Sequence, residues 1–546
     1  MITQLQYLYR KKVANKKLIV VLFLLFSSLN VFAVTKEELV NKITDSSLYN
    51  NQTWKRLLLY SNGKSIVNKK SSFFISKKGY KNPKEEMFVL VDKIFDNSQQ
   101  NNINVFYKYP ARIRFIENSL NISLQDLNNN TGNAEFEEFK KRVPADNIYL
   151  VFASENNQSP SSMMGHLFIK ISGNNGTEHT VTFTALVSDK EPFKFYFKAL
   201  TGTLPGGFIL NPYKNIASRY IFEENRSLWE FKITLTEEEK ELFLLHLWEL
   251  KEVRTKYKFI TYNCATATVD LLRTVKDKDF LNSAKPFNTP VDYLKDFYKL
   301  NYISKINLLP TKLYSEKMKK HKLNILDADK SSSFSISYGK STEDFLEFQF
   351  TPVYQNLIEP STAYYDDLET KLFDITADYT LDTHKLFIKK IDLIKLQSIM
   401  DCKYGGLKNN ISKYFSISFE NSLGDTTTNL NPTIDYGMGI AYSFYNGKII
   451  PYFMPITGYR YRDINNFFLV PEIGIIIKPV PQLKIIATYD KYFNSYKNNR
   501  GFDSELNLKL GFKITENNIL LISYSEYTNI NIDTKNLFSL GFAVHF

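Results

Sequence analysis

Cysteine is almost absent. The 546 residues hold only Cys264 and Cys402, which excludes a fold built on a disulfide framework. Two cysteines in an exported chain either join each other or leave one as a working thiol. After the N-terminal leader no run of about 18 apolar residues occurs, so no membrane-spanning helix is expected. Histidine is scarce, and His246, His321 and His384 share no metal-ligand spacing. No Gly-rich phosphate loop is present. No metal and no other cofactor is therefore expected. The net charge of +12 is spread over scattered lysines, and five of those charges sit in the leader. That pattern does not describe a nucleic-acid-binding protein.

The leader itself is well defined. Arg10 to Lys17 is basic, Leu18 to Phe26 is apolar, and Val31-Phe32-Ala33 supplies small residues at a cleavage site. Residues 1–33 thus read as a secretory signal peptide. No cysteine follows the apolar run, so this is not a lipoprotein attachment signal.

Three further segments follow. Residues 34–130 are polar and helical, with helices expected over Thr35 to Ile43 and Glu85 to Ile94. The run Asn128-Asn129-Asn130-Thr131-Gly132-Asn133 is a break. Residues 135–310 read as a small α+β domain. Strands are expected at Asn147 to Ala153, Gly165 to Ser172, His179 to Leu186 and Leu228 to Leu235. Thr236 and Glu239 form a capping box that opens a helix running to about Val253, and a second helix is expected from Ala265 to Thr274.

From residue 332 to 546 the periodicity changes from helical to two-residue alternation. Leu506, Leu508, Leu510, Phe512 and Ile514 share one face; Ile434, Tyr436, Met438, Ile440, Tyr442 and Phe444 share another. Asn446-Gly447 closes a hairpin. The last strand sets Phe538, Leu540, Phe542, Val544 and Phe546 on one side. Ten-residue segments with an apolar face and a small or polar face suit a transmembrane barrel, in which the closed sheet pairs every backbone group. About twelve such segments fit, an even number that puts both barrel ends on the periplasmic side. The aromatic content of 15% agrees with a barrel wall, although a soluble β-sandwich also consumes aromatics.

Two stretches in the α+β domain carry chemistry. His166 begins a strand directly after Gly165. Cys264 stands where an apolar helix begins, in Tyr262-Asn263-Cys264-Ala265-Thr266. A thiol at a helix N-terminus meets the positive end of the helix dipole and free N–H groups, and both favour thiolate. A nearby imidazole would accept its proton, giving an ion pair and an activated nucleophile, with the same N–H groups as an oxyanion site. The same residues also fit a buried cysteine packing as a small apolar side chain, with a histidine satisfied by backbone.

The stretches Leu150 to Ile171, Arg226 to Leu250, Tyr262 to Leu272 and Thr289-Pro290-Val291-Asp292 resemble the Lnb N-terminal periplasmic domain family, formerly DUF4105. Residues 34 to 125, including Tyr109-Pro110-Ala111-Arg112, resemble the N-terminal extension of barrel-fused members. The resemblance implies a permuted papain-like, NlpC/P60-type thiol fold in which the His precedes the Cys. It implies His166 as base and Cys264 as nucleophile. For Lnb itself it implies lipoprotein acyl transfer through a Cys thioester. This chain departs from Lnb in having a barrel where Lnb has membrane helices. His179, on the return strand, is a candidate to orient the imidazole; Ser162, Tyr262 and Asn263 are candidates for contacts to substrate. Asn263 also suits a helix cap. His246 reads as a packed helix residue and Cys402 as a bystander.

The expected architecture is therefore multidomain: an α+β permuted papain-like periplasmic domain followed by an antiparallel transmembrane β-barrel of the outer membrane. Three functions compete. One is a cysteine acyltransferase or acyl hydrolase acting on outer-membrane lipids or lipoproteins. The second is a cell-wall amidase or peptidase. The third is a non-catalytic lipid- or protein-binding module on a barrel anchor.

Overall fold

A computed structural model describes residues 34 to 546, except 97–103, 129–132, 156–163, 187–197, 199–200, 260, 277–287, 312–314, 316–323, 362–366, 405–409, 422–427, 462–464, 495–502 and 530–531. The expected signal peptide and Ser162 lie outside the described residues.

The chain divides into two compact units, one ending at Phe136 and one beginning at Glu137. The first unit is helical. Helices α1 (Lys36–Asp45), α2 (Gln52–Leu57), α3 (Pro83–Ile94) and α4 (Pro110–Leu120) enclose Leu39, Ile43, Trp54, Leu90 and Ile116. Thr35 and Glu38 cap α1 reciprocally, which fixes its start. Within this core Arg112 is fully buried. It donates to Glu86 at 2.8 Å and to the Phe73 carbonyl at 2.8 Å. Glu86 also accepts from the Ile75 and Ser76 N–H groups. The charges are thus paired and hydrogen-bonded, as burial requires.

The α/β part of the second unit is built on seven antiparallel strands: β1 (Asn147–Ala153), β2 (His166–Ser172), β3 (Glu178–Ala185), β4 (Leu204–Pro212), β5 (Leu228–Ile233), β6 (Thr255–Tyr257) and β7 (Ile303–Leu309). Their spatial order is β6-β4-β3-β2-β1-β5-β7. The central strands β1 and β2 are largely buried on both faces, and buried Lys170 of β2 is paired with Glu178 and Glu230. Helices α5 (Glu237–Glu249), α6 (Cys264–Arg273) and α7 (Pro290–Lys299) complete the domain, and α6 packs on β2 and β3. α5 opens with the expected Thr236–Glu239 capping box.

Twelve strands then close into an antiparallel up-and-down barrel, each pairing with its neighbours in sequence. They are β8 (Ser333–Lys340), β9 (Asp344–Thr351), β10 (Leu368–Thr380), β11 (Leu386–Ser398), β12 (Ser412–Glu420), β13 (Asn431–Ala441), β14 (Ile449–Tyr461), β15 (Asn465–Val480), β16 (Leu483–Lys491), β17 (Ser504–Thr515), β18 (Asn518–Asn529) and β19 (Ile532–His545). The ring closes where Ser333 pairs with His545. The faces assigned from alternation are outward: Tyr436, Met438 and Ile440 on β13, and Phe538, Leu540 and Phe542 on β19, are exposed to the surroundings of the barrel. No described helix is long and apolar enough to cross a membrane.

The inner face departs from a simple polar lumen. On β14 and β15 it is apolar, with Ile450, Met454, Ile456, Val470 and Ile476 buried against Leu357 and Ile358. Those two residues belong to the segment between β9 and β10, which folds into the barrel. Gly511 makes room for it: a Cβ there would lie 2.4 Å from the Ile358 carbonyl oxygen. Buried Lys484 donates to the Leu357 carbonyl at 3.0 Å.

The α/β domain sits at the barrel end where β8 begins and β19 finishes. The Ser331 hydroxyl donates to Asp292 of α7 at 2.5 Å, and the Thr311 N–H donates to the Ser227 hydroxyl at 3.1 Å.

Candidate active site

Cys264 is the first residue of α6. Asn263 caps the helix through Oδ1, which accepts from the Ala265 and Thr266 N–H groups at 2.9 and 3.2 Å. Its Nδ2 donates to the Phe259 carbonyl at 2.9 Å. This is the local reason the helix begins at the cysteine.

His166 is the first residue of β2. The ladder between β2 and β3 runs only from Ile169–Val181 to Ser172–Glu178, so the strands part before reaching His166. The N-terminal half of α6 fills that gap. The Thr268 hydroxyl donates to the Leu167 carbonyl at 3.3 Å. The backbone N–H groups of Leu167, Ala265 and Cys264 itself favour the thiolate. Gly165, just before His166, has φ +82°, and a Cβ there would fall 2.3 Å from the Phe152 ring. Only glycine fits this turn into the strand.

Neither partner is charged at rest. Burial pushes the Cys264 thiol up, against the opposing pull of the three N–H groups and Arg226. Burial lowers His166 to about 3, assisted by the cations of Arg226 and Arg219. Burial therefore opposes both the thiolate and the imidazolium, each of which loses hydration there. Desolvation outweighs the helix terminus.

Sequence reasoning missed Arg226 and Tyr220. Arg226 is buried, donating to the carbonyls of Ser154 and Ala153 at 2.6 and 3.0 Å and to Glu224 at 3.2 Å. Its guanidinium lies 4.8 Å from the centre of the Tyr220 ring, and that ring lies 6.2 Å from the His166 ring. An Arg just before a strand carries no sequence sign that it will stack on Tyr220, so its charge was the only signal available.

The other expected site residues divide. Asn263 is both cap and wall of the site. His179 pairs with Ile171, five residues along β2 from His166, a separation of roughly 17 Å at the rise of a strand. It cannot hydrogen-bond the His166 ring. Tyr262 packs its ring on Phe183 at 5.2 Å, in the core behind the helix. Its burial raises the phenol well above its usual value. His246 is buried in α5. Cys402 donates its thiol to the Asn410 carbonyl at 3.3 Å, and both cysteines are free. Among the described residues no His, Cys, Asp or Glu cluster could hold a metal.

A small recess, open at its mouth, lies over Cys264. One wall is Met164, Tyr257, Phe259 and Pro290. The opposite wall is barrel: Val353, Leu372 and Phe373. Among the described residues no charged side chain lines it. Phe373 has φ +56° within β10, an uncommon conformation for a bulky residue. Its neighbours Leu372 and Asp374 pair with Ile394 and Asp392.

Fold and site together define an outer-membrane β-barrel protein that carries a thiol-bearing periplasmic α/β domain before the barrel. Residues 135–299 match the Lnb N-terminal periplasmic domain. Two domains of unknown function match on either side, DUF7843 at residues 46–119 and DUF7840 at residues 326–544. No curated protein matches the chain. Among solved structures it is similar to the KdgM porin, at 8% identity over 39% of this chain and 99% of that one, with a TM-score of 0.25. It is also similar to OmpT of Vibrio cholerae, at 10% identity over 39% and 98%, with a TM-score of 0.20. The transport unit of the autotransporter AIDA-I from Escherichia coli is similar at 9% identity over 43% and 97%, with a TM-score of 0.24.

Proposed function

We propose that the chain is an outer-membrane-anchored cysteine acyltransferase or acyl hydrolase acting on lipid or lipoprotein esters. Cys264 attacks the ester carbonyl carbon while its proton passes to His166. Because both groups rest neutral, proton transfer accompanies the attack rather than preceding it. The N–H groups of Leu167, Cys264 and Ala265 receive the developing oxyanion. The carbon–oxygen bond of the ester then breaks, and His166 returns the proton to the departing alcohol. The acyl group is left on sulfur as a thioester. An amine or a water attacks it, giving an amide or a free acid and restoring the thiol.

The observation that carries this reading is a thiol on the first residue of a capped helix, lining a recess that is largely apolar among the described residues. A cell-wall amidase or peptidase would use the same Cys and His. The apolar share of the described lining, from Met164, Phe259, Pro290, Val353 and Leu372, favours an acyl chain over a wall peptide, which brings carboxylate and ammonium groups that need partners.

The test uses full-length protein in lipid vesicles, incubated in parallel with a diacylglyceryl lipopeptide and with cell-wall fragments. Loss of an acyl chain from the lipopeptide, abolished by Cys264→Ala, supports the proposal. Cleavage of the wall fragments alone would move the chain to the amidase class. No reaction with either would leave a binding module.

A further inference from the structure

We infer that the barrel is a self-plugged, non-conducting anchor: residues 357–359 fill its periplasmic mouth, and Asp367 bolts that mouth shut by pairing across the lumen with Lys478 and Lys484. This concerns the barrel alone and is independent of the thiol chemistry.

A ring of this size needs something inside it. About eight strands enclose a space that side chains alone can fill, whereas about sixteen leave a water channel. Twelve falls between. At the end where β8 begins and β19 finishes, the segment between β9 and β10 turns inward. Leu357 and Ile358 are buried in one cluster with Ile450, Tyr452 and Met454 of β14, Ile476 of β15 and Ile486 of β16. Polar and close contacts tie the segment to further strands. The Leu357 carbonyl accepts from Lys484 of β16 at 3.0 Å. The Ile358 carbonyl lies against Gly511 of β17, where a Cβ would come within 2.4 Å of it. The Glu359 carboxylate lies 3.0 Å from the His545 Nε2 of β19. A segment that leaves β9 and reaches β16 and β17 crosses the lumen rather than lining one side of it.

The bolt follows from the strand order. The Ile399 N–H donates to the Asp367 carbonyl at 2.9 Å, which continues the β10–β11 ladder and holds Asp367 in the wall at β10. The Lys478 N–H donates to the Lys448 carbonyl at 2.8 Å, which holds Lys478 in the wall at β15. Yet the Lys478 ammonium donates to the Asp367 carboxylate at 2.7 Å, and the Lys484 ammonium of β16 lies 3.5 Å from its other oxygen. β10 is the third strand of the ring, and β15 and β16 are the eighth and ninth. Lys484 therefore sits half a ring away from Asp367, the farthest that two strands can be, and the pairs span the lumen. Asp367 and Lys484 are both buried, where charges persist when they are paired. The pairs Lys390–Glu420 and Lys395–Glu369, by contrast, join neighbouring strands, so they line the wall without crossing it.

The experiment reads potassium chloride conductance of the full-length protein. Vesicles of palmitoyl-oleoyl phosphatidylethanolamine and phosphatidylglycerol carrying it are floated on a density gradient to show insertion, then fused into a planar bilayer at low ionic strength. The faster gel migration of the unboiled barrel confirms that each protein is folded. The wild type should be silent. Asp367→Asn removes the carboxylate that two lysines share and should give stepwise openings. Replacing Leu357, Ile358 and Glu359 with Gly-Ser-Gly should give larger and longer ones. Lys390→Gln, which alters a pair along the wall, should stay silent. Steady conductance by the wild type overturns the inference, and so does a folded Gly-Ser-Gly protein that remains silent. Asp367→Asn as silent as the wild type, or Lys390→Gln opening as readily as Asp367→Asn, overturns the cross-lumen bolt.

Discussion

The hydroxyl of Thr268 donates to the carbonyl of Leu167 at 3.3 Å, and this bond ties the helix that begins at Cys264 to the strand that begins at His166. The two residues are 101 positions apart in sequence. The Leu167 carbonyl is thus held by the helix, and its N–H favours the Cys264 thiolate.

Thr268→Val keeps the shape and removes the donor. It should cost about 1 kcal/mol of stability and lower the rate of thioester formation about tenfold. The barrel should melt unchanged. Single-turnover acylation alongside thermal denaturation measures both, and an unaltered acylation rate would show that this bond does not set the alignment.

Alkylation of Cys264 should follow a raised thiol pKa. At neutral pH the thiol holds its proton, so the iodoacetamide rate should keep climbing through pH 9, the ordinary thiol value, without a plateau at acid pH. A plateau below pH 6 would reveal an ion pair. The Arg226 cation favours thiolate, so Arg226→Gln should move the curve to still higher pH while Arg226→Lys holds it in place.

The two histidines of the hairpin should behave differently. His166→Gln should lower acyl transfer by about 10²–10⁴-fold, the usual contribution of a positioned base. His179→Gln should leave it within a factor of two, because the register puts His179 opposite Ile171. A matched loss in both variants, read from initial rates, would contradict the assignment.

In the helical N-terminal unit, Arg112→Met leaves the Glu86 carboxylate buried beside the Ile75 and Ser76 amides without its cation. Breaking a buried pair on one side costs about 3–5 kcal/mol. Limited proteolysis should cut this unit first, and the double variant Glu86→Gln with Arg112→Met should recover part of the loss.

Much of this architecture was legible before any coordinates. Asn147–Ala153 and His166–Ser172 are uniform apolar runs of strand length, Thr236 and Glu239 announce a helix start, and β13 and β19 alternate cleanly. These are local signals. β4 was not legible because its Pro205, Gly206 and Gly207 disguise a strand, and β7 because its alternation is mixed. The site followed the same division. A cysteine opening a helix can be read from its neighbours. Arg226 over Tyr220, the misplacement of His179 and the approach of Phe373 depend on register and on which domain faces which, and a sequence does not carry those. The charge state of the thiol was misjudged because the helix terminus is visible in sequence and the depth of burial is not.

The most direct measurement is the intact mass of the purified protein after incubation with bilayer lipid and rapid acid quench. The account predicts one added acyl chain, removed by neutral hydroxylamine as a thioester is, mapped to the peptide containing Cys264 and absent from Cys264→Ser. No acyl mass under any lipid condition, or an acyl mass that survives in Cys264→Ser, would contradict it.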